Sequence, residues 1–248
     1  LTCNQELKGY TASHITPDVT VYLETQFYYF KNNNDFFLAN KGGYNAESHN
    51  HNDAGTFSLW IDKTPIFIDA GVGTYTRQTF GPERYSIWTM RSNYHNLPSV
   101  NGVEQKFGKQ YKASDILVDE KKKTLSLNIA SAYPEEASVK QWIRSYQLKT
   151  NELIVKDKFT LKNALQSNEI HFMLWGDINI KEGKVAIQVD GKKVALLFDK
   201  NTFEANIETI QLPDVRLSRV WGEQIYRLTL KAKKKVMKGG YTFKIISE

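Results

Sequence analysis

The chain has 248 residues, 41% hydrophobic and 12% aromatic, with a formal net charge of +6, enough for one large core, and all-β folds of this length commonly form a single domain. No run of about 18 apolar residues occurs, which excludes a membrane-spanning helix, and Cys3, the sole cysteine, excludes an internal disulfide and a multi-cysteine zinc site. The excess positive charge, densest at Lys231-Ala232-Lys233-Lys234-Lys235, favours an acidic polymer by long-range attraction, either nucleic acid or an anionic polysaccharide.

Apolar and polar residues alternate with a period of two from one end to the other, the pattern of half-buried strands. Val19, Tyr22 and the run Phe27-Tyr28-Tyr29-Phe30 open the series, and Phe36-Phe37-Leu38-Ala39 follows. Gly55 to Ile61 and Pro65 to Ile68 form the next pair, joined at Asp62-Lys63-Thr64. Pro82 to Met90 reads as a short helix, because proline suits a first helical turn. Further on, Leu125, Leu127 and Ile129 alternate with polar residues, and Leu153, Val155, Phe159 and Leu161 share one parity that only Asp157 interrupts. Val185, Ile187 and Val189 lead into Asp190-Gly191, and Val194, Leu196 and Phe198 return, which predicts a tight hairpin. Tyr226, Leu228 and Leu230, then Tyr241, Phe243 and Ile245, complete the set. No long segment has a 3.6-residue apolar period, and no repeat or linker is visible. The expected fold is all-β: one large antiparallel β-sandwich of two packed sheets over residues 1–248, with few or no helices.

Five histidines occur, and His49, His51 and His95 fall within one stretch with Asp69, whereas His14 and His171 have no motif around them. On an extended strand, His49 and His51 would present both imidazoles to one face. Two imidazoles and a carboxylate from separate segments make a ligand set that suits zinc. The same residues could equally form a metal-free hydrogen-bond cluster.

The order Ser48-His49-Asn50-His51-Asn52-Asp53-Ala54-Gly55, Phe67-Ile68-Asp69-Ala70-Gly71, Arg84-Tyr85, Tyr94-His95-Asn96 and Val100-Asn101-Gly102-Val103-Glu104-Gln105 resembles the C-terminal β-sandwich domain of the heparinase II/III-like polysaccharide lyases, a group that includes alginate lyases. The matching motifs lie within residues 45–105. The resemblance implies a lyase that cleaves an anionic, uronic-acid-containing glycan by β-elimination, with polysaccharide rather than nucleic acid as partner and a periplasmic or secreted location. It implies that His51, Asp69 and His95 hold a structural zinc and that His49 reaches the active cleft. Tyr85 matches the active-site tyrosine of the alginate lyase branch. Tyr75, just past Asp69, is the rival phenol. Arg84 and Arg77, and also Arg91, are candidates to bind a substrate carboxylate by a bidentate pair, while Asn96 and Gln105 orient loops. Family members place an α/α toroid of helices before the sandwich. None is legible here, and the chain starts abruptly at Leu1, so a truncated and inactive half is expected. The alternative is a non-catalytic carbohydrate-binding or structural sandwich in which Trp60, Trp88, Trp142 and Trp221 stack on sugars. A cupin-like metalloenzyme ranks last, because Asp53 comes too early for that motif and the chain is long for one cupin barrel.

Overall fold

The structure, a computed structural model, describes residues 17–248; Cys3 and His14 lie outside them. The first strands are β1 (Val19–Tyr22), β2 (Phe27–Lys31), β3 (Phe36–Lys41), β4 (Tyr44–Asn45), β5 (Phe57–Ile61) and β6 (Thr64–Phe67). β7 (Pro98–Ser99), β8 (Gly108–Lys112), β9 (Ser114–Asp119), β10 (Thr124–Asn128), β11 (Val139–Leu148) and β12 (Glu152–Leu161) follow. Next come β13 (Glu169–Leu174), β14 (Asp177–Lys181), β15 (Lys184–Val189) and β16 (Lys192–Leu197). β17 (Phe203–Gln211), helix α1 (Val215–Trp221), β18 (Gln224–Ala232) and β19 (Lys238–Ser247) end the chain.

The strands assemble into two antiparallel sheets, as the alternation predicts. The first has the order β1-β2-β3-β5-β6-β13-β18-β17, with β7 added beside β13. The second runs β14-β15-β16-β19-β12-β11-β10-β9, and β4 pairs with β8 in a separate ribbon. Aromatic side chains from the two inner faces meet in the middle: Phe57 against Tyr146 at 5.5 Å and Phe172 against Phe243 at 5.4 Å between ring centroids. Each such side chain, fully buried, contributes about 1.5–3 kcal/mol of transfer free energy. Trp142 belongs to this core, fully buried and stacked on Phe159, so it is not available to a sugar.

Two hairpin turns follow from local chemistry. Asp62-Lys63 and Asp190-Gly191 both have two successive residues at positive φ, 48° and 65° in the first and 48° and 75° in the second. That backbone matches the twist of the flanking strands. Thr64 already belongs to β6. Asp157 is the polar residue that broke the alternation of β12, and it does face the core. There Arg144 Nε donates to Asp157 Oδ1 and Arg144 Nη2 to Oδ2, both at 2.9 Å, while Trp142 Nε1 donates to Oδ1 at 2.8 Å.

One helical expectation needs correction. Pro82–Met90 is not one helix but a chain of 3₁₀ turns, Pro82–Ser86, Trp88–Met90 and then Ser92–Tyr94. Extended residues Ile87, Arg91 and His95 follow them, with ψ of 122°, 142° and 173°, and each stops propagation after one turn. Among the described residues one α-helix forms, α1, in keeping with the few helices expected, although no 3.6-residue period was read there. Its seven residues are too few to show one; Asp214 caps it, accepting from Arg216 N and Leu217 N, and Gly222 with φ 79° ends it.

Candidate metal centre and cleft

Three segments converge at the ends of the interior strands β3, β5 and β6 of the first sheet. The loop between β4 and β5 carries His49 and His51, the end of β6 leads to Asp69, and the 3₁₀ turn Ser92–Tyr94 leads to His95. The first loop is fixed by side chains standing in for a ladder: Asn45 Oδ1 accepts from Asp53 N at 3.2 Å, and Gln105 Oε1 accepts from Ala54 N at 3.1 Å. Gln105 Nε2 donates back to Ala54 O at 2.8 Å. Lys41 Nζ pairs with Asp53 at 2.6 Å and with Glu47 at 3.3 Å. Asp53, four residues after His49, therefore tethers the loop to β3.

His95 is placed from the other side by its neighbour. Asn96 Nδ2 donates to Phe57 O at 2.7 Å and to Ile68 O at 3.1 Å, and its Oδ1 accepts from Met173 N at 2.7 Å. Arg144 Nη1 donates to Asn96 O at 2.7 Å. Asn96 thus joins β5, β6, β13 and, through Arg144, the second sheet. Both Asn96 and Gln105 are buried and act as the loop-orienting residues that their motifs imply.

The outcome is a cluster in which one ligand atom each from His51, Asp69 and His95 lies within 4.8 Å of the others. The imidazoles of His51 and His95 are 5.2 Å apart between centroids. His95 Nδ1 lies 3.3 Å from Asp69 Oδ2, yet without hydrogen-bond alignment. His95 is 1% exposed, and neither of its ring nitrogens has a hydrogen-bond partner. Leaving such atoms unpaired in a protein interior costs about 1–3 kcal/mol, and a cation accepting a nitrogen lone pair removes that cost. Burial first, then the charge on His95, lowers the His51 pKa to about 4, so its imidazole is neutral at pH 7 with a lone pair to offer. Burial opposes ionisation of Asp69, but His95 and His51 outweigh it and hold the carboxyl well below its ordinary range. A neutral imidazole at His51 and an ionised carboxylate at Asp69 are the protonation states that metal ligation needs; at His95 burial lowers the pKa but the Asp69 charge outweighs it and raises it, so a metal there would displace a proton. The residues fit zinc.

His51 and Asp69 also line an open cleft of about 250 Å³, shared with His49, Lys41, Phe27 and Tyr29. His49 is not on a strand, contrary to the spacing argument. The whole loop is irregular, and His49 sits exposed at φ 58°. Tyr85 Oη donates to Asn50 Oδ1 at 3.2 Å, and its ring stacks on Phe107 at 4.7 Å. Burial raises the Tyr85 pKa, so its phenol carries its proton at neutral pH. Arg84 donates from Nη1 to Thr79 O at 2.7 Å and from Nη2 to Asn50 O at 2.8 Å. It braces the cleft loop with the same edge that a bidentate carboxylate would need. Arg91 pairs with Glu104. Tyr75 is exposed, packs on Phe80 and lies under the Arg216 guanidinium at 4.9 Å; Arg77 is exposed at the head of a further 3₁₀ turn, Gln78–Phe80. Neither lines the cleft, and Tyr85 and Arg84 reach it only through their hydrogen bonds to Asn50. His171 is a core residue, with Ser99 Oγ at 3.0 Å and Thr229 Oγ1 at 3.1 Å from its ring nitrogens. Sequence reasoning missed Lys41, Phe27 and Tyr29, although the alternation of β2 and β3 already puts all three on the outer face.

Comparison with known proteins bears on the fold that carries this cluster. The profile of the family described as "Heparinase II/III-like, C-terminal" matches residues 14–228. A mutant of the heparan sulfate lyase HepC from Pedobacter heparinus superposes with a TM-score of 0.72 at 18% identity, over 94% of this chain and 37% of that one. Unmutated HepC from the same organism gives 0.70 at 17%, again over 94% and 37%. A structure described as heparinase III gives 0.68 at 16%, with the same coverage. The chain thus spans just over a third of the length of these structures, and at such identity the likeness establishes the fold. A search of curated proteins found no match. With most of its length matched by one family profile and its architecture shared with these lyases, the chain belongs to the heparinase II/III-like C-terminal domain family.

Proposed function

We propose that this domain is the sandwich half of a polysaccharide lyase that cleaves an anionic, uronic-acid-containing glycan, heparan sulfate-like or alginate-like, by β-elimination. The observation that carries the proposal is the shared cleft, in which His49 stands exposed beside His51 and Asp69 of the ligand cluster. The chemical problem is the proton at C5 of the uronate, which is barely acidic while the adjacent carboxylate keeps its charge. An enzyme must neutralise that carboxylate, remove the proton with a positioned base and protonate the leaving oxygen. His49, exposed at the cleft, is placed to accept or relay a proton. Tyr85, its proton retained and its hydroxyl aimed at Asn50, is suited to give one. Zinc bound at His51, Asp69 and His95 supplies a cross-link between three loops and a positive charge beside the cleft. With its donors on backbone carbonyls, Arg84 keeps the loop shaped, and the substrate carboxylate is left to groups beyond this domain. The natural source is a helical toroid, of which this chain would be the partner, in a protein exported to the periplasm or secreted. No helix among the described residues is long and apolar enough to cross a membrane.

The test is to join the domain to such a helical half and follow the ultraviolet absorbance of unsaturated uronate on a panel of glycans. Turnover in the joined protein and little or none in the domain alone is expected. His49→Ala should lower turnover by about 10²-fold or more, the usual scale for a proton-transfer group. Substantial turnover by the sandwich alone, or none by the joined protein on any uronate polymer, would refute the proposal. The aromatic outer face of the first sheet favours a second reading, a carbohydrate-binding module, which predicts glycan binding that survives mutation of both His49 and Tyr85.

A further inference from the structure

The outer face of the first sheet is unusually aromatic, and its aromatics are in register. Tyr22 on β1 faces Phe27 on β2; Lys31 on β2 faces Phe37 on β3; and Phe37 faces Trp60 on β5, which faces Pro65 on β6. Between them, the middle rung is Tyr29, Ala39 and Ser58, two small residues that leave a trough. The rings form a continuous file: Tyr22 to Tyr29 at 6.1 Å, Phe27 to Tyr29 at 6.4 Å, Tyr29 to Phe37 at 5.9 Å and Phe37 to Trp60 at 5.8 Å. Tyr22 is 55% exposed and the other four are half-buried. A contiguous apolar surface of this kind on a folded domain marks an interaction site.

Its two ends say what it takes. Phe27 and Tyr29 line the same cleft as His49, His51 and Asp69. At the far end, Phe37 and Trp60 line a second depression of about 420 Å³ with Lys31, Lys63, Asp35 and Asp62. Asp62 is paired with Lys192, so two lysines face that end against the one carboxylate of Asp35.

We propose that this file is an extended binding track for the acidic glycan, running from the cleft across β2, β3 and β5 to the Phe37–Trp60 edge. Each pyranose ring has a C–H-lined face that stacks on an aromatic ring and a rim of hydroxyl and acid groups. A chain of such rings fits a row of aromatics with ammonium groups at its end, whereas an apolar protein partner would leave Lys31 and Lys63 with nothing to pair. The track rests on the anionic-glycan reading above and extends it away from the reacting residues, so chain length becomes part of recognition.

The experiment measures affinity for acidic oligosaccharides of increasing length, heparan sulfate-type and alginate-type, by calorimetry on the chain as it stands. The wild type should bind longer chains more tightly than a disaccharide. Phe37→Ala/Trp60→Ala should weaken long-chain binding about tenfold, the effect of losing roughly one aromatic contact's worth at each site, and leave the disaccharide unchanged. Lys31→Glu/Lys63→Glu, a pair that leaves the ring file intact, should weaken the same long chains and flatten the salt dependence. Circular dichroism melting confirms that each variant is folded. Unchanged long-chain affinity in both folded variants overturns the track, as does a wild type that binds no acidic chain. A shift from dimer to monomer in Phe37→Ala/Trp60→Ala, with glycan binding unchanged, also overturns it and makes the face a contact between copies. Length-dependent binding lost in the variants upholds the track even where the joined protein shows no turnover, so the two readings fail separately.

Discussion

Replacing Arg144 by methionine tests how the core holds the metal-ligand loop. The side chain is fully buried and makes three hydrogen bonds, two to Asp157 at 2.9 Å and one to Asn96 O at 2.7 Å. Methionine keeps the apolar volume but removes every donor. Asp157 then retains only the indole N–H of Trp142, and the carbonyl of Asn96 loses its partner. Removing one member of a buried ion pair costs about 3–5 kcal/mol, most of it from the charge left behind. The orphaned carbonyl adds about 1–3 kcal/mol, less what local relaxation recovers. The expected loss for Arg144→Met is therefore about 4–6 kcal/mol, read as a drop in the urea midpoint at pH 7 with the slope unchanged. Arg144→Met/Asp157→Leu should recover a large part of it, because no charge then remains buried. Zinc competition should also weaken in the single variant, since Asn96 adjoins His95. A single variant within about 1 kcal/mol of wild type, or a double variant as unstable as the single, would refute this reasoning.

Other perturbations follow from single residues. Gly55 has φ 88°, and a Cβ there would come 2.5 Å from Ile129 Cγ2; Gly55→Ala should cost about 2–5 kcal/mol from backbone strain plus overpacking, seen as a lower melting midpoint. Burial, then the charges of Arg227 and Arg144, depress the His171 pKa to about 3. The unfolded chain, with an ordinary value of about 6.5, binds the proton first, so this residue's stability contribution is present above that value and is lost as pH falls from 6.5 towards 3. Between pH 7 and 4.5 the wild type should lose about 2–3 kcal/mol more than His171→Gln, measured by urea unfolding at both pH values.

The fold was legible because side-chain period is a local property. Phe36 and Leu38 point inward from β3 while Phe37 and Ala39 point outward, and such strands needed no knowledge of their partners. Asp157 looked like an interruption because the residue that makes its burial tolerable, Arg144, lies on a different strand. Pro82 to Met90 carried a helix-start signal, but Ile87 and Arg91 take extended backbone that no spacing rule reveals. The cluster of His51, Asp69 and His95 was readable from residue type and order. What those could not give was the shape of the loop: His49 and His51 were placed on a strand, whereas Asn45, Gln105 and the Lys41–Asp53 pair hold that segment irregular. Arg84 had the right chemistry for a carboxylate, and only coordinates show its donors already on Thr79 O and Asn50 O.

Elemental analysis of the purified domain, after exchange into chelator-free buffer with limiting zinc, bears most directly on the three-loop centre. A single tightly held zinc per chain is predicted, absent from His51→Ala and Asp69→Ala and retained in His49→Ala, with chelation lowering the melting midpoints of the wild type and of His49→Ala but not those of the other two variants. A wild-type protein that takes up no metal, or variants that keep it, would contradict the assignment.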